Sequence, residues 1–509
     1  MTLRVISTPI VGAGLTRIGV DRDAGSPWFE TVPRNAAEWK TRAETIRGSL
    51  IQADWLTPLA PAFNASGAAA ARLERAAASG FAVTAGQQPG LFGGPLYTWW
   101  KALTALSLAD RLEKETGLPV VPVFWAATDD SDYAEAAGTV VATNSGAERV
   151  SLPPMDDTGR ALAEVKLGDV SAQLGKLIAA TGSAPNASIL DLVRSAYSPD
   201  HTIGSAYVDL LRNILEPLGV AVIDAAHPSV RAAAFPVLTQ ALAQSQQIED
   251  ALLARSDELK TEKLSAQVKV VKGRSLVFAV ADGERDRVRI KDAAGMAEST
   301  EVGSLGPNVL LRPIVERSII PTVAYIGGPA EVAYFAQVTA VADAMRVTRP
   351  VVVPRWSGMV IEPRVERILE RYSLTPEDFR DPHAVETRMA RESLSPDLVN
   401  RIQDFRKTVD ASVANLSAAP GADIVAPAVV EGLKRNVAHR IERLERRYTA
   451  AVKRDGNEAL REIAIARGAL FPEGAPQERS LNFIPLLARY GDEIISSAMS
   501  EITAHTAKL

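Results

Sequence analysis

The densest concentration of chemically capable residues is Gly86-Gln87-Gln88-Pro89-Gly90-Leu91-Phe92-Gly93-Gly94-Pro95-Leu96-Tyr97, followed by Thr98-Trp99-Trp100-Lys101. Gly86, Gly90, Gly93 and Gly94 can bring the backbone close to a ligand, and Pro95 suits the first position of a helix. A helix start there would offer free N–H groups and a positive dipole end to a phosphate or carboxylate, with Lys101 about two turns in adding a full charge. The pattern is not a Walker A loop, since no Gly-Lys-Ser/Thr follows, and it is not a G-x-G-x-x-G dinucleotide loop. The alternative is a glycine-rich turn that only reverses the chain; the paired Gln87 and Gln88 favour a ligand loop.

Two further constellations belong beside it. Thr128-Asp129-Asp130-Ser131-Asp132-Tyr133 places three carboxylates in one turn, where Asp130 and Asp132 could hold Mg²⁺ with a nucleotide, bind an ammonium or act as a base. A solvated acidic turn with an Asp capping a helix explains the same residues. Downstream come Asn308, Arg312-Pro313, Gly327-Gly328-Pro329, Glu331, Tyr334 and Pro354-Arg355. Arg312 and Arg355 are candidate clamps, because a guanidinium makes paired hydrogen bonds to carboxylate or phosphate. Glu331, at a helix start, can equally be a residue favoured only by the helix dipole.

These residues need a scaffold that gathers them. Phe81-Ala82-Val83 reads as a buried strand, residues 95–115 as a helix and 120–125 as a second strand, which makes a βαβ unit and a parallel sheet. Residues 220–224 predict another strand, 235–260 a helix, and 268–280 one or two strands around Lys272-Gly273. A second unit runs from a strand at 319–326 through a helix at 331–345 to a strand at 351–354. Ligands of such sheets bind outside the carboxyl ends of the strands, so the glycine loop and the acidic turn should open on one crevice. The first 80 residues are helix-biased, with Trp28, Phe29, Trp39 and Trp55 as packing anchors.

Beyond residue 373 the β-rich runs stop. Val430, Leu433, Val437, Ile441, Leu444, Tyr448 and Val452 recur at steps of three or four, which fits a coiled-coil arm paired with a helix over 396–416, with Asp455-Gly456 interrupting the seam. The expected organisation is a core with an N-terminal helical segment over 1–373, a helical arm over 374–467 and a tail over 468–509 that folds back on the core.

Composition narrows the function. A net charge of −5 over 509 residues disfavours a nucleic-acid face. The best apolar stretch, residues 319–336, is broken by Gly327-Gly328-Pro329 and Glu331, so no membrane span is expected; with no visible targeting segment the expected location is cytoplasmic. The chain has no Cys, which removes thiolate catalysis, iron–sulfur clusters and Cys-ligated zinc, and its five scattered His residues argue against an all-His metal site.

Taken in order, Gly86-Gln87-Gln88-x-Gly90-Leu91, Gly94-Pro95-Leu96-Tyr97-Thr98, Lys101, residues 119–125, Asn308, Arg312-Pro313, Gly328-Pro329-x-Glu331, Tyr334, Pro354-Arg355, residues 475–479 and Arg489-Tyr490-Gly491 resemble the bacillithiol-biosynthesis cysteine-adding enzymes. The resemblance implies a Rossmann-like α/β core, a coiled-coil arm that pairs two chains, and condensation of cysteine with the amino group of glucosaminyl malate. Amide formation in water needs an activated acyl group, so ATP or another nucleotide is the expected co-substrate, with Mg²⁺ as an option. One departure stands out: Ser131 sits where the family pattern reads His within Glu-Asp-His-Asp. A hydroxyl does not titrate near neutral pH, which keeps open a non-catalytic nucleotide-binding dimer or a nucleotidyl transferase with another acceptor. Without a Cys-held zinc, recognition of cysteine would fall to Asp and Arg side chains.

Overall fold

The computed structural model describes all residues except 1–2, 11, 13, 22–24, 156–158, 282–283, 382 and 455–457. The described chain divides into two compact units: one holds Thr2–Val141, Arg149–Val360 and Glu478–Leu509, the other mainly Ile361–Gln477 with Ala142–Glu148.

In the first unit the elements that position the site are β1 (Phe81–Gln87), α1 (Leu96–Thr116), β2 (Val120–Ala126), α2 (Tyr133–Ala136), β3 (Ala221–Asp224), α3 (Pro228–Ala243) and α4 (Ser245–Thr261). They continue through β4 (Arg274–Ala281), β5 (Glu284–Arg289), β6 (Leu305–Pro307), α5 (Arg312–Ile319), β7 (Thr322–Gly327), α6 (Pro329–Met345) and β8 (Val352–Pro354). Five strands form a parallel sheet in the order β8-β7-β1-β2-β3. The chain starts this sheet at β1, builds outward through β2 and β3, then returns to the other side of β1 with β7 and β8. The order therefore reverses between β1 and β7, which is where a parallel sheet opens a crevice.

The strands are near-continuous apolar runs, such as Val120-Val121-Pro122-Val123-Phe124-Trp125-Ala126, because helices cover both faces. Pro122 is tolerated because pairing of β2 with β3 begins only at Val123, so its missing N–H faces no ladder partner on that side. Helix α1 is buried nearly all round, between the sheet and the C-terminal helix Asp492–Thr506, which explains why its sequence shows no polar stripe. It ends where Gly117 turns left-handed at φ 70°. Trp39 and Trp55 are buried, and Trp28 and Phe29 are half-buried against Leu15, Leu259 of α4 and Ala333 and Ala336 of α6.

Two sequence expectations change. The apolar alternation at 268–271 is not a strand: the Gln337 side chain accepts from Val268 N–H and donates to Val268 C=O, both at 2.8 Å, and so takes the place of a neighbouring strand. The strand proper is β4, which pairs antiparallel with β5 and β6 in a separate three-stranded sheet. The helix expected over 235–260 is two helices, α3 and α4, which meet at Gln244.

The second unit is helical. Its longest elements, α7 (Pro396–Ser417) and α8 (Pro427–Arg454), pack as an antiparallel coiled-coil hairpin, with ion pairs Arg406–Glu445 at 3.0 Å and Lys434–Asp410 at 3.7 Å. Ile402 and Ile441 are buried, whereas Val429, Leu433, Leu444 and Tyr448 remain exposed, so the apolar surface of α8 is two-sided. The expected seam break at Asp455-Gly456 lies outside the described residues. Among the described residues no helix is long and apolar enough to cross a membrane.

Candidate active site

The carboxyl ends of β1, β2 and β7, together with one face of the β4–β5–β6 sheet, enclose a cleft of about 560 Å³. The structure brings to it Gly86, Gln87, Gln88, Tyr97 and Lys101 from β1 and α1, and Asp130 from the turn after β2. Asn308 and Arg312 arrive from the entry to α5, Glu331 and Tyr334 from α6, and Arg355 from just beyond β8. Gly90, Gly94 and Asp132 are not part of its lining.

At the floor lies a buried charge network. Lys101 Nζ donates to Gly86 O at 2.8 Å and Gln87 Oε1 at 2.9 Å and forms an ion pair with Glu331 Oε2. Glu331 accepts from Gly328 N–H at 2.7 Å and from Tyr325 OH at 2.6 Å, and Arg312 Nη2 lies 3.8 Å from its second oxygen. Arg312 Nη2 also donates to the hydroxyls of Tyr325 and Tyr334, both at 3.2 Å. Burial pushes the Glu331 carboxyl up, but Lys101 and Arg312 outweigh it and hold the pKa below the ordinary carboxylate range. A buried ion pair survives when further hydrogen bonds satisfy both partners, and both partners here have them. Glycine at 86 leaves room for this network, since a Cβ there would sit 2.9 Å from Arg312 Nη1 and 3.1 Å from Trp125 O. Behind Arg312, Glu316 accepts from Thr84 Oγ1, and burial raises its pKa to about 7.

Arg355 does clamp a carboxylate, but the protein's own: its two Nη atoms meet the two oxygens of Glu478 at 2.8 and 2.7 Å. Its Nε is buried without a hydrogen-bond partner, as is Nδ2 of Asn308, whose Oδ1 holds the turn leading into α5 by accepting from Leu310 and Leu311 N–H. Unsatisfied buried donors are costly. A third orphan on a residue lining the cleft, Nε of Arg287, is likewise an N–H, and this points to an acceptor-rich ligand.

The acidic turn is more ordered than its sequence suggests. Asp132 accepts from Glu135 N–H at 3.0 Å and so caps α2, while Asp130 accepts from Asp132 N–H at 3.0 Å. Asp129 and Ser131 line the cleft beside Asp130. Among the described residues no three His, Asp or Glu groups come together to hold a metal ion.

The second half of the glycine loop is sealed within the protein. Tyr197 OH accepts from Gly93 N–H at 3.1 Å and donates to Gly90 O at 3.2 Å; Asn482 Nδ2 donates to Phe92 O at 3.0 Å and Leu91 O at 3.2 Å. The first amide of α1, Leu96 N–H, is taken by Leu481 O at 2.9 Å, so this one of the N–H groups at the helix start is already occupied by backbone. The glycines serve close approach here as well: a Cβ on Gly90 would lie 2.8 Å from Gly94 Cα.

Sequence reasoning passed over Glu135, Phe278, Arg285, Arg287 and Arg479, all of which line the cleft. Burial, then the charge of Asp132, raises the Glu135 pKa, and Tyr97 OH donates to it at 3.4 Å. For the β4–β5 residues a signal was present: Asp282-Gly283 between alternating residues is a hairpin signature, and Arg285, Arg287 and Arg289 alternate after it.

A parallel sheet with a cleft at its switch point, joined in sequence to a helical hairpin unit, defines a Rossmann-like α/β protein with a coiled-coil domain. Residues 21–356 match the family model described as "Bacillithiol biosynthesis BshC, N-terminal Rossmann-like domain" and 358–508 match "Bacillithiol biosynthesis BshC, C-terminal coiled-coil domain". Relatives bearing the name "Putative cysteine ligase BshC" include one from Koribacter versatilis, 31% identical over 85% of this chain and 84% of its own. Others are from Solibacter usitatus, 31% identical over 81% and 80%, and Staphylococcus carnosus, 26% identical over 84% and 83%. The chain belongs to the BshC family.

Proposed function

We propose that this protein is a ligase of bacillithiol biosynthesis that joins the carboxylate of cysteine to the amino group of glucosaminyl malate, with ATP as co-substrate. Family membership supports the ligase class, and the observation that carries the reading to this cleft is its donor-rich lining: orphan N–H groups on Asn308 and Arg355 beside the Lys101–Glu331–Arg312 network. ATP supplies the acyl activation; phosphoryl transfer to the cysteine carboxylate, releasing ADP, or adenylyl transfer, releasing pyrophosphate, makes a leaving group that the acceptor amine displaces, giving the amide with phosphate or AMP released. Lys101 and Arg312 offset the negative charge that develops at the acyl and phosphate oxygens. Asp130 holds the ammonium of a substrate. With Ser131 at the place of the family His, Glu135 is the carboxylate suited to take the proton from the attacking amine, because its raised pKa brings it toward neutrality.

The exposed flank of α8 supports a homodimer formed through the coiled-coil unit, each chain covering Val429, Leu433, Leu444 and Tyr448 of the other. The test of function is ATP consumption with cysteine and glucosaminyl malate supplied separately and together. Ser131 favours one rival, a dimer that binds nucleotide without turnover; that reading predicts no consumption under any combination.

A further inference from the structure

Three strands that the sequence left functionally blank build one wall of the cleft. The β4–β5–β6 sheet is two-faced: Val277, Val288 and Leu305 enter the hydrophobic core, while Phe278, Arg285 and Arg287 line the cleft. Phe278 pairs directly with Arg287, and Val280 with Arg285, which puts both arginines on the Phe278 face. The guanidinium carbons lie 4.6 Å (Arg285) and 5.7 Å (Arg287) from the Phe278 ring centroid, so the aromatic ring holds both cations at the cleft surface.

Of the other cations lining the cleft, Arg479 is exposed on the Glu135 side, and the buried ones are committed. Lys101 is paired with Glu331 and Arg355 with Glu478, and Arg312 is held by Glu331 and two tyrosines. Arg285 donates to the Asp129 and Pro307 carbonyls, which fixes its position without neutralising it. Arg287 has no carboxylate partner among the described residues, and its Nε is buried without a hydrogen bond. Burial, then the nearby Arg274 cation, lowers its pKa, and the attraction of an arriving anion would offset both. A planar fork with free donors, steadied by an aromatic ring, matches the flat oxygen pair of a carboxylate or two oxygens of a phosphate.

We infer that Arg287, supported by Arg285 and Phe278, forms an oxyanion subsite that grips the acidic end of a substrate in this cleft. Resting on the function proposed above, the occupant is the malate carboxylate end of the acceptor, which places its sugar amine toward the Glu135 side; the other source of the same chemistry is a nucleotide phosphate. The subsite thereby selects amino sugars carrying an acidic aglycone over uncharged ones.

The test is calorimetric titration of the full chain with glucosaminyl malate, glucosamine and ATP, in wild type and Arg287→Gln, with thermal unfolding checked in parallel. Arg287→Gln is expected to weaken glucosaminyl malate about 10- to 100-fold and leave glucosamine and ATP unchanged. Arg287→Lys, which keeps charge but not the fork, should recover only part of the loss. A loss confined to ATP supports the subsite with phosphate as its occupant. Unchanged affinity for both anions with an intact fold, or a wild-type chain that binds neither, overturns the inference. Because the readout is binding, a chain that shows the Arg287 effect but no ATP turnover contradicts the ligase reading alone.

Discussion

Two turns in this molecule look alike in sequence and differ in use. Gly93-Gly94-Pro95 leads from β1 into α1, and Gly327-Gly328-Pro329 leads from β7 into α6. At the first, Tyr197, Leu481 and Asn482 take the exposed backbone groups, and the turn is buried. At the second, Gly328 N–H goes to Glu331, which is also the partner of Lys101, and Gly328 and Pro329 line the cleft. A glycine-rich turn therefore announces a close approach; whether the approaching group is a ligand or another part of the chain depends on residues far away in sequence.

Substitutions can break that contrast. The largest effect is expected at the second turn. Lys101→Ala should abolish turnover and, by stranding Glu331, destabilise the fold by about 3–5 kcal/mol. The double variant Lys101→Met with Glu331→Gln should regain much of the stability and none of the activity. Activity in the double variant would remove the pair from the mechanism.

Next comes Glu316, behind the second turn. Its carboxyl sits near pKa 7 in the fold against an ordinary value of 4.5, so the protonated form is favoured by folding. The stability this contributes is full below about pH 4.5 and is lost as pH rises through about 7. Glu316→Gln removes the dependence: relative to it, wild type should lose on the order of 3 kcal/mol between pH 4.5 and pH 8. Parallel pH profiles of denaturant unfolding for the two proteins would contradict the assignment.

At the sealed turn the effects should be structural. Asn482→Ala leaves several buried carbonyls unpaired and should cost about 2–3 kcal/mol, with KM for all substrates unchanged in the folded enzyme. Tyr197→Phe, the smallest change, should cost about 1 kcal/mol with kcat intact. A selective rise in KM from either would show that the first turn does touch substrate.

The contrast also marks what the sequence discloses. Apolar runs such as residues 81–87 and 120–126 and the strand–Gly–Pro–helix repeat announced the parallel sheet and its crevice, and Lys101, Arg312, Glu331 and Asn308 converge there. Local pattern could not reveal that Tyr197 and Asn482, more than 100 residues from the glycine loop, would claim it. Nor could it reveal that Gln337 would satisfy residue 268 in place of a strand. Arg355 was legible as a carboxylate clamp, but its partner, Glu478, is set by tertiary structure. Arg287 was missed for the opposite reason: its motif is local, but an arginine on an alternating strand is ordinarily a solvated face.

The proposed synthesis of an amide in this cleft at the expense of ATP is open to direct test. The most direct measurement follows ATP consumption and product mass with cysteine and glucosaminyl malate, each alone and both together. Stoichiometric ATP loss and cysteinyl-glucosaminyl malate are expected only when both are present, and neither in Lys101→Ala. Nucleotide binding without consumption in every combination, or consumption indifferent to cysteine, would contradict it.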